Sequence, residues 1–307
     1  MIALLAPGQG SQKSGMLSPW LDDPAAQETI ARWSDTIGLD LQRLGTTADD
    51  DEIKDTAVTQ PLVVASALLA AARLELPAGS PVAGHSVGEL AAAAIAGVLS
   101  PDAAVALAAV RGREMAAACA LEPTGMSAVL GGDPELVLKT LAGLGLDPAN
   151  QNGAGQIVAA GTVEALAALA ENPPERARVI ALPVAGAFHT RFMAPAESAL
   201  ADHAAEITPA DPTWPLLSNA DGTVVPSGSE ALRRLIAQVT RPVRWDACMA
   251  TLRGLGVTAV IELPPAGTLV GLVKRELKGT ATVALKTPDD LEKAAALIAE
   301  HASGAQA

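Results

Sequence analysis

The sequence predicts an α/β fold with a mainly parallel sheet, interrupted by a compact inserted α+β unit. Three observations carry that expectation. Short apolar runs of small and β-branched residues alternate with helix-period segments along most of the chain. Near Glu122-Pro-Thr-Gly the rhythm changes to a tight βαββαβ-like run. The chain has 307 residues, 50% hydrophobic and 18% charged, enough for one large core with a smaller satellite.

Taken in order, 2–6, 82–84, 259–263 and 283–286 read as short buried strands. Helical periods cover 59–74, 88–97, 101–120, 190–205, 229–239, 246–254, 268–278 and 289–301. Between them the run reads strand 126–130, helix 133–143, strand 156–160, helix 162–170 and strand 179–183, with Asn172-Pro-Pro174 in a loop. The expected division is a discontinuous large domain, 1–122 and 187–307, interrupted by a small one at 123–186. No fixed-period repeat or low-complexity linker is visible, and the closing Ser303-Gly-Ala-Gln-Ala is expected to fray.

Composition excludes several classes. A net charge of −13, four Trp, two Phe and no Tyr argue against nucleic-acid binding, which needs basic stripes and stacking platforms. No apolar run is long enough to cross a membrane, and the N-terminus lacks the basic region of a signal peptide. Cys119 and Cys248 have neither metal-ligand spacing nor a disulfide framework, which suits a reducing cytoplasm.

The most specific local signal is Gly84-His85-Ser86-Val87-Gly88, between an expected strand and an Ala-rich helix. It fits G-x-S-x-G in the strand–turn–helix setting that a nucleophile elbow requires. The glycines permit a sharp turn, and Ser86 stands at a helix N-terminus among backbone N–H groups that can hold an oxyanion. A serine N-cap in a tight turn is the plainer reading. A serine nucleophile needs a base, and there are four histidines. His85 adjoins Ser86 and should point away from its hydroxyl, His203 falls beside Asp202 on a solvated helix face, and His301 lies in the C-terminal tail. His189, in Gly186-Ala-Phe-His-Thr190 at the end of the inserted unit, is left as the candidate base, or as a packed or capping histidine. Gly8-Gln9-Gly10 lacks both the third glycine of a dinucleotide fingerprint and the Lys-Ser/Thr of a P-loop.

Five motifs occur in order: Gly8-Gln9-Gly10-Ser11-Gln12, Gly84-His-Ser-Val-Gly-Glu89, Arg111-Gly-Arg113, Gly186-Ala-Phe-His189, and Gln238 followed by Pro242-Val-Arg-Trp245. Together, from about residue 2 to about 286, they closely resemble the malonyl-CoA:acyl carrier protein transacylases. The resemblance implies an α/β-hydrolase-like large subdomain with an inserted ferredoxin-like small one. It implies no cofactor beyond the thioester substrates, and acyl carrier protein as partner. Ser86 then matches the acylated serine and His189 its general base and acid. Gln9 and Val87 match the backbone N–H groups of the oxyanion hole. Arg111 matches the arginine that pairs with the malonyl carboxylate, and Gln238 the main-chain carbonyl that orients the histidine. Asn152 resembles an asparagine near the site mouth, and Phe188 beside the histidine would crowd an α-methyl group.

The implied activity is a ping-pong malonyl transfer supplying fatty acid and polyketide synthesis. The alternatives are a serine esterase or thioesterase, a non-catalytic carrier-binding subunit, and a malonate decarboxylase subunit or free-standing acyltransferase serving a polyketide synthase. No coiled-coil heptads are present, so a monomer is expected. An acidic carrier would be repelled by the net charge, so docking needs a local basic patch. The candidates are Arg191, Arg233 with Arg234, Arg241 with Arg244, and Lys274, Arg275 and Lys278.

Overall fold

The computed structural model describes residues 1–302; the stretch 303–307, expected to fray, lies outside the described residues. The chain begins on β1 (Ile2–Ala6), buried throughout, as a strand covered on both faces must be. It continues through α1 (Pro24–Ile37) and α2 (Leu41–Thr46), two helices that the apolar pattern did not lead us to expect. The ends of α1 are nonetheless written in the sequence. Asp23 caps it through the Ala25 N–H, Pro24 fills its first turn, and Gly38 closes it at φ 66°.

The long buried helix α3 (Thr56–Ala71) leads to β2 (Val82–Gly84), α4 (Gly88–Ile95) and α5 (Pro101–Cys119). Then come β3 (Thr124–Gly131), α6 (Pro134–Gly143), β4 (Asp147–Gly153), β5 (Gln156–Thr162), α7 (Val163–Glu171) and β6 (Ala177–Ala181). The remainder is α8 (Ala194–Ala204), α9 (Gly228–Ala237), β7 (Val243–Arg244), α10 (Trp245–Gly254), β8 (Ala259–Glu262), α11 (Thr268–Glu276), β9 (Ala281–Ala284) and α12 (Leu291–Ala302).

Among the described residues two sheets form. One has the order β2-β1-β8-β9 and is parallel throughout. Side chains of β1 alternate between its faces: Ile2, Leu4 and Ala6 join the larger apolar cluster, Ala3 and Leu5 the one capped by α10 and α11. The other sheet has the order β6-β3-β5-β4-β7, antiparallel except for β7 alongside β4. Its third apolar cluster, including Val129, Leu141, Ile157 and Leu169, lies beneath α6 and α7.

Several expectations need correction. β4 is a strand although the residues between 143 and 156 carried no strand pattern. It is polar, and its pairing with β5 is interrupted by register shifts. β7, also unexpected, brings residues beyond 186 into the second sheet. β6 and β9 each begin two residues before the expected 179 and 283. His301 belongs to α12 rather than a tail, and its Nδ1 lies 2.8 Å from Thr258 Oγ1. Among the described residues no helix is long and apolar enough to cross a membrane, and no cluster of three or more His, Cys, Asp or Glu side chains could hold a metal.

Candidate active site

Ser86 stands in the turn from β2 into α4 with φ 54°, in the left-handed region that a non-glycine residue adopts only when its surroundings impose it. Two contacts impose it here. The Ser86 N–H donates to Asn219 Oδ1 at 2.8 Å, and the preceding His85 N–H donates to the Ala6 carbonyl at 3.0 Å. The flanking glycines are required by close approach. A Cβ on Gly88 would collide with the Ala6 carbonyl and stand 2.6 Å from that of Pro7, so α4 rests directly on the end of β1.

His189 lies where the chain returns from β6, also at positive φ (60°), and its ring is buried. Its Nδ1 is 2.8 Å from the Gln238 main-chain carbonyl. A carbonyl only accepts, so Nδ1 carries the proton and the Nε2 lone pair is left for Ser86 Oγ, 2.7 Å away. Burial pushes the imidazole pKa down to about 3, and the nearby Arg111 charge pushes the same way. The ring is therefore neutral in the free protein, the form a general base needs.

Arg111 projects from α5 and is buried. Its Nη1 donates to Gln60 Oε1 at 2.7 Å, its Nη2 to Gln238 Oε1 at 2.8 Å, and Nη2 also lies 3.4 Å from Ser86 Oγ. Burial lowers its pKa to about 10 against the opposing pull of Glu89, so the guanidinium keeps its charge. A buried cation beside a nucleophile is costly unless it has anionic work to do.

Gln9 bonds Thr56 Oγ1 through its side chain at 3.1 Å. Among the described residues the main-chain N–H groups of Gln9 and Val87 have no acceptor, although Val87 is wholly buried. Asn152, on β4, is buried and faces His85, whose Nε2 is 2.9 Å from its Oδ1. His85 thus turns toward β4 and packs edge-on against Trp245, away from the serine hydroxyl.

A cavity of about 820 Å³ opens over these groups, between the ends of the parallel strands and the antiparallel sheet. Gln9, Ser86, Arg111, Asn152, Phe188 and His189 line it; Val87 and Gln238 stand behind. Phe192 does not reach it and instead lies under the Arg191 guanidinium, 4.6 Å from carbon to ring centre. His203 is exposed on α8.

None of the candidate docking cations lines this cavity. Arg191 pairs with Asp147, Arg233 and Arg234 with Glu230, and Arg244 with Asp246. Arg233, Arg234, Arg241 and Arg244 border a separate hollow of about 500 Å³ on the far side of Gln238. The lysines at the active-site cavity are Lys13 and Lys54, which sequence reasoning did not single out. It also missed Gln60, Asn219 and Glu89. Of these only Glu89 carried a signal, as the last residue of the nucleophile motif.

The acyl transferase domain family matches residues 4–299. A malonyl CoA-acyl carrier protein transacylase of Mycobacterium tuberculosis (strain H37Rv) is 62% identical over 302 residues, covering 97% of this chain and all of that one. The crystal structure of MCAT from M. tuberculosis superposes with TM-score 0.92 at 62% identity, over 95% of this chain and 99% of that one. A type II PKS acyl-carrier protein in complex with its malonyl-transacylase gives TM-score 0.88 at 30% identity, over 95% and 98%.

Proposed function

The chain belongs to the malonyl CoA-acyl carrier protein transacylase family of acyl transferases, and from that premise we propose how its residues carry the reaction. It moves a malonyl group from malonyl-CoA to the phosphopantetheine thiol of acyl carrier protein, through a malonyl-serine. The observation that supports this most is the aligned Ser86–His189–Gln238 carbonyl chain with buried Arg111 3.4 Å from the serine oxygen.

His189 Nε2 takes the Ser86 proton as Oγ attacks the thioester carbonyl. The unpartnered N–H groups of Gln9 and Val87 donate to the developing oxyanion, and Arg111 holds the free carboxylate. The C–S bond breaks and the imidazolium returns its proton to the coenzyme A thiolate. The carrier thiol then repeats these steps in reverse. Asn152 and Phe188 shape the cavity, with Phe188 standing against an α-methyl group. The cycle uses no cofactor beyond its substrates, the malonyl-CoA thioester and the carrier's phosphopantetheine thiol, and its setting is the cytoplasm.

We read residues 1–122 and 187–307 as an α/β-hydrolase-like subdomain and 123–186 as a ferredoxin-like one. The β6-β3-β5-β4 order of a βαββαβ run supports the latter. Intact-mass measurement after mixing with malonyl-CoA tests the chemistry. A malonyl adduct that passes to holo carrier protein is expected; release as free malonate would point to a thioesterase, and an adduct surviving in Ser86→Ala would remove Ser86.

A further inference from the structure

Behind the reacting groups lies a buried carboxylate that the mechanism above does not use. Glu89 sits in the first turn of α4, three residues after the nucleophile, and is 4% exposed. Its Oε1 accepts the Asn219 main-chain N–H at 2.5 Å, and its Oε2 accepts the Gln238 side-chain Nε2. The same Nε2 faces the Ser86 carbonyl at 3.1 Å and Asn219 Oδ1 at 3.2 Å. Three oxygens therefore gather at one end of the Gln238 amide, while its other end, Oε1, accepts from Arg111.

An amide has two ends of opposite character, and the two orientations differ by a half-turn. With Glu89 ionised, the end toward Glu89 must be the donor, so the end toward Arg111 must be the acceptor. Both Glu89 oxygens already accept N–H groups, which suits the acceptor-only carboxylate. When ionised it also supplies a counter-charge to the fully buried guanidinium, one side chain away. Burial raises the Glu89 pKa to about 8 against the opposing pull of the Asn219 and Gln238 donors and the Arg111 and Arg234 charges. The ionised form that this arrangement of donors fits is therefore fully present only above that pH.

We propose that Glu89 is a positioning residue for acyl discrimination: by fixing the Gln238 amide it holds Arg111 in register for the substrate carboxylate. The inference rests on the malonyl-transfer reading. It separates two duties of one glutamine, whose main-chain carbonyl orients His189 and whose side chain relays the hold of Glu89 to Arg111.

Glu89→Gln keeps the shape and makes one end of residue 89 a donor. Either the Asn219 N–H or Gln238 Nε2 then meets another N–H group. The Gln238 amide loses its charged acceptor, is held only by the Ser86 carbonyl and Asn219 Oδ1, and Arg111 loses its fixed register. Rates of Ser86 acylation by malonyl-CoA and acetyl-CoA are compared in wild type, Glu89→Gln, Arg111→Ala and the double variant. The malonyl-over-acetyl ratio of kcat/KM should fall about tenfold or more in Glu89→Gln, mainly through KM for malonyl-CoA. In the double variant it should fall no further than in Arg111→Ala alone.

A merely structural role would slow both acyl groups alike and leave the ratio in place, and that result overturns the proposal. Should Glu89→Gln fail to fold, Glu89→Asp keeps the charge but draws the carboxylate back from Gln238 Nε2 by one methylene, and the same ratio decides. Loss of discrimination in Arg111→Ala with none in Glu89→Gln or Glu89→Asp refutes the Glu89 inference alone. A wild-type enzyme without malonyl preference refutes the reading beneath it.

Discussion

Arg111→Ala is the sharpest perturbation that the site offers. The guanidinium is 2% exposed and anchored at both Nη atoms, by Gln60 at 2.7 Å and Gln238 at 2.8 Å. Its Nη2 lies 3.4 Å from Ser86 Oγ. In a malonyl group the carboxyl carbon is about 2.5 Å from the reacting carbonyl carbon, two C–C bonds away, so a carboxylate leaving Ser86 can reach this cation. Removing one partner of a buried, hydrogen-bonded charge pair costs about 2–5 kcal/mol. At 1.4 kcal/mol per tenfold, that is a fall of roughly 30- to 4,000-fold in kcat/KM for malonyl-CoA. Acetyl-CoA has no carboxylate to lose, so its rate should move far less and the preference should collapse. Truncation also strips Glu89 of its nearest cation and leaves Gln60 Oε1 and Gln238 Oε1 without their donor, so the variant should melt lower and be assayed well below its transition. Initial rates of transfer to holo carrier protein, with both thioesters under one condition, give the ratio. A folded variant whose ratio stays within about threefold of wild type, a difference under 1 kcal/mol, would refute the assignment of Arg111 to the carboxylate.

Other perturbations follow from the same geometry. Ser86→Ala should give no malonyl adduct by intact mass, and an adduct at the same stoichiometry would place the nucleophile elsewhere. The His189 pKa of about 3 means that the free enzyme holds its base unprotonated from pH 8 down to pH 5. Its kcat/KM for acylation should therefore show no fall with a midpoint near 6.5, the value for an unperturbed histidine. The acid limb should lie far lower, and a midpoint near 6.5 would contradict the burial argument. Malonyl binding neutralises Arg111, which helps to depress that pKa, so the acid limb of kcat should lie above that of kcat/KM. Gly88→Ala drives a methyl group into the Ala6 and Pro7 carbonyls; about 1–3 kcal/mol of stability should be lost, readable as a lower denaturation midpoint. Phe188→Ala should raise the rate with methylmalonyl-CoA relative to malonyl-CoA, and an unchanged ratio would free Phe188 from that role.

What was legible in the sequence was what local physics forces. The nucleophile turn could be read because Gly84 is dictated by backbone contact with Gly88 and Glu89 within one strand–turn–helix unit, while Gly88 is required by the end of β1. β1 could be read because a strand buried on both faces must be apolar throughout. β4 was missed for the converse reason. Asn150 and Asn152 are turned into the site, so the strand carries no apolar alternation. Helix α1 had its cap, its proline and its closing glycine in plain view, but only Ile30 and Trp33 along it are buried, too few to make a stripe. The part played by the Gln238 carbonyl came from resemblance alone, because a main-chain acceptor leaves no trace in residue type. Contacts such as Arg111 with Gln60 and Gln238 join residues 51 and 127 positions apart, and no spacing rule reaches that far.

The placement of negative charge ties the site together. A serine hydrolase sets a carboxylate directly on the histidine, where it stabilises the imidazolium. Here a neutral carbonyl takes that position, and the nearest buried carboxylate, Glu89, stands one amide further back. A site that must bind an anionic acyl group has a reason for this exchange. A carboxylate on His189 would lie close to Arg111 and compete with malonyl for it, and its repulsion would be strong in so poorly solvated a cavity. The carbonyl keeps the tautomer and the aim of the ring without that charge. Glu89, screened from the substrate by the Gln238 side chain, balances Arg111 before malonyl arrives to the extent that it is ionised, its pKa being raised by burial to about 8. Converting Gln238 to an acid should therefore impair malonyl more than acetyl acylation, since it leaves the main-chain carbonyl on His189 but sets an anion against Arg111, where it competes with the substrate carboxylate.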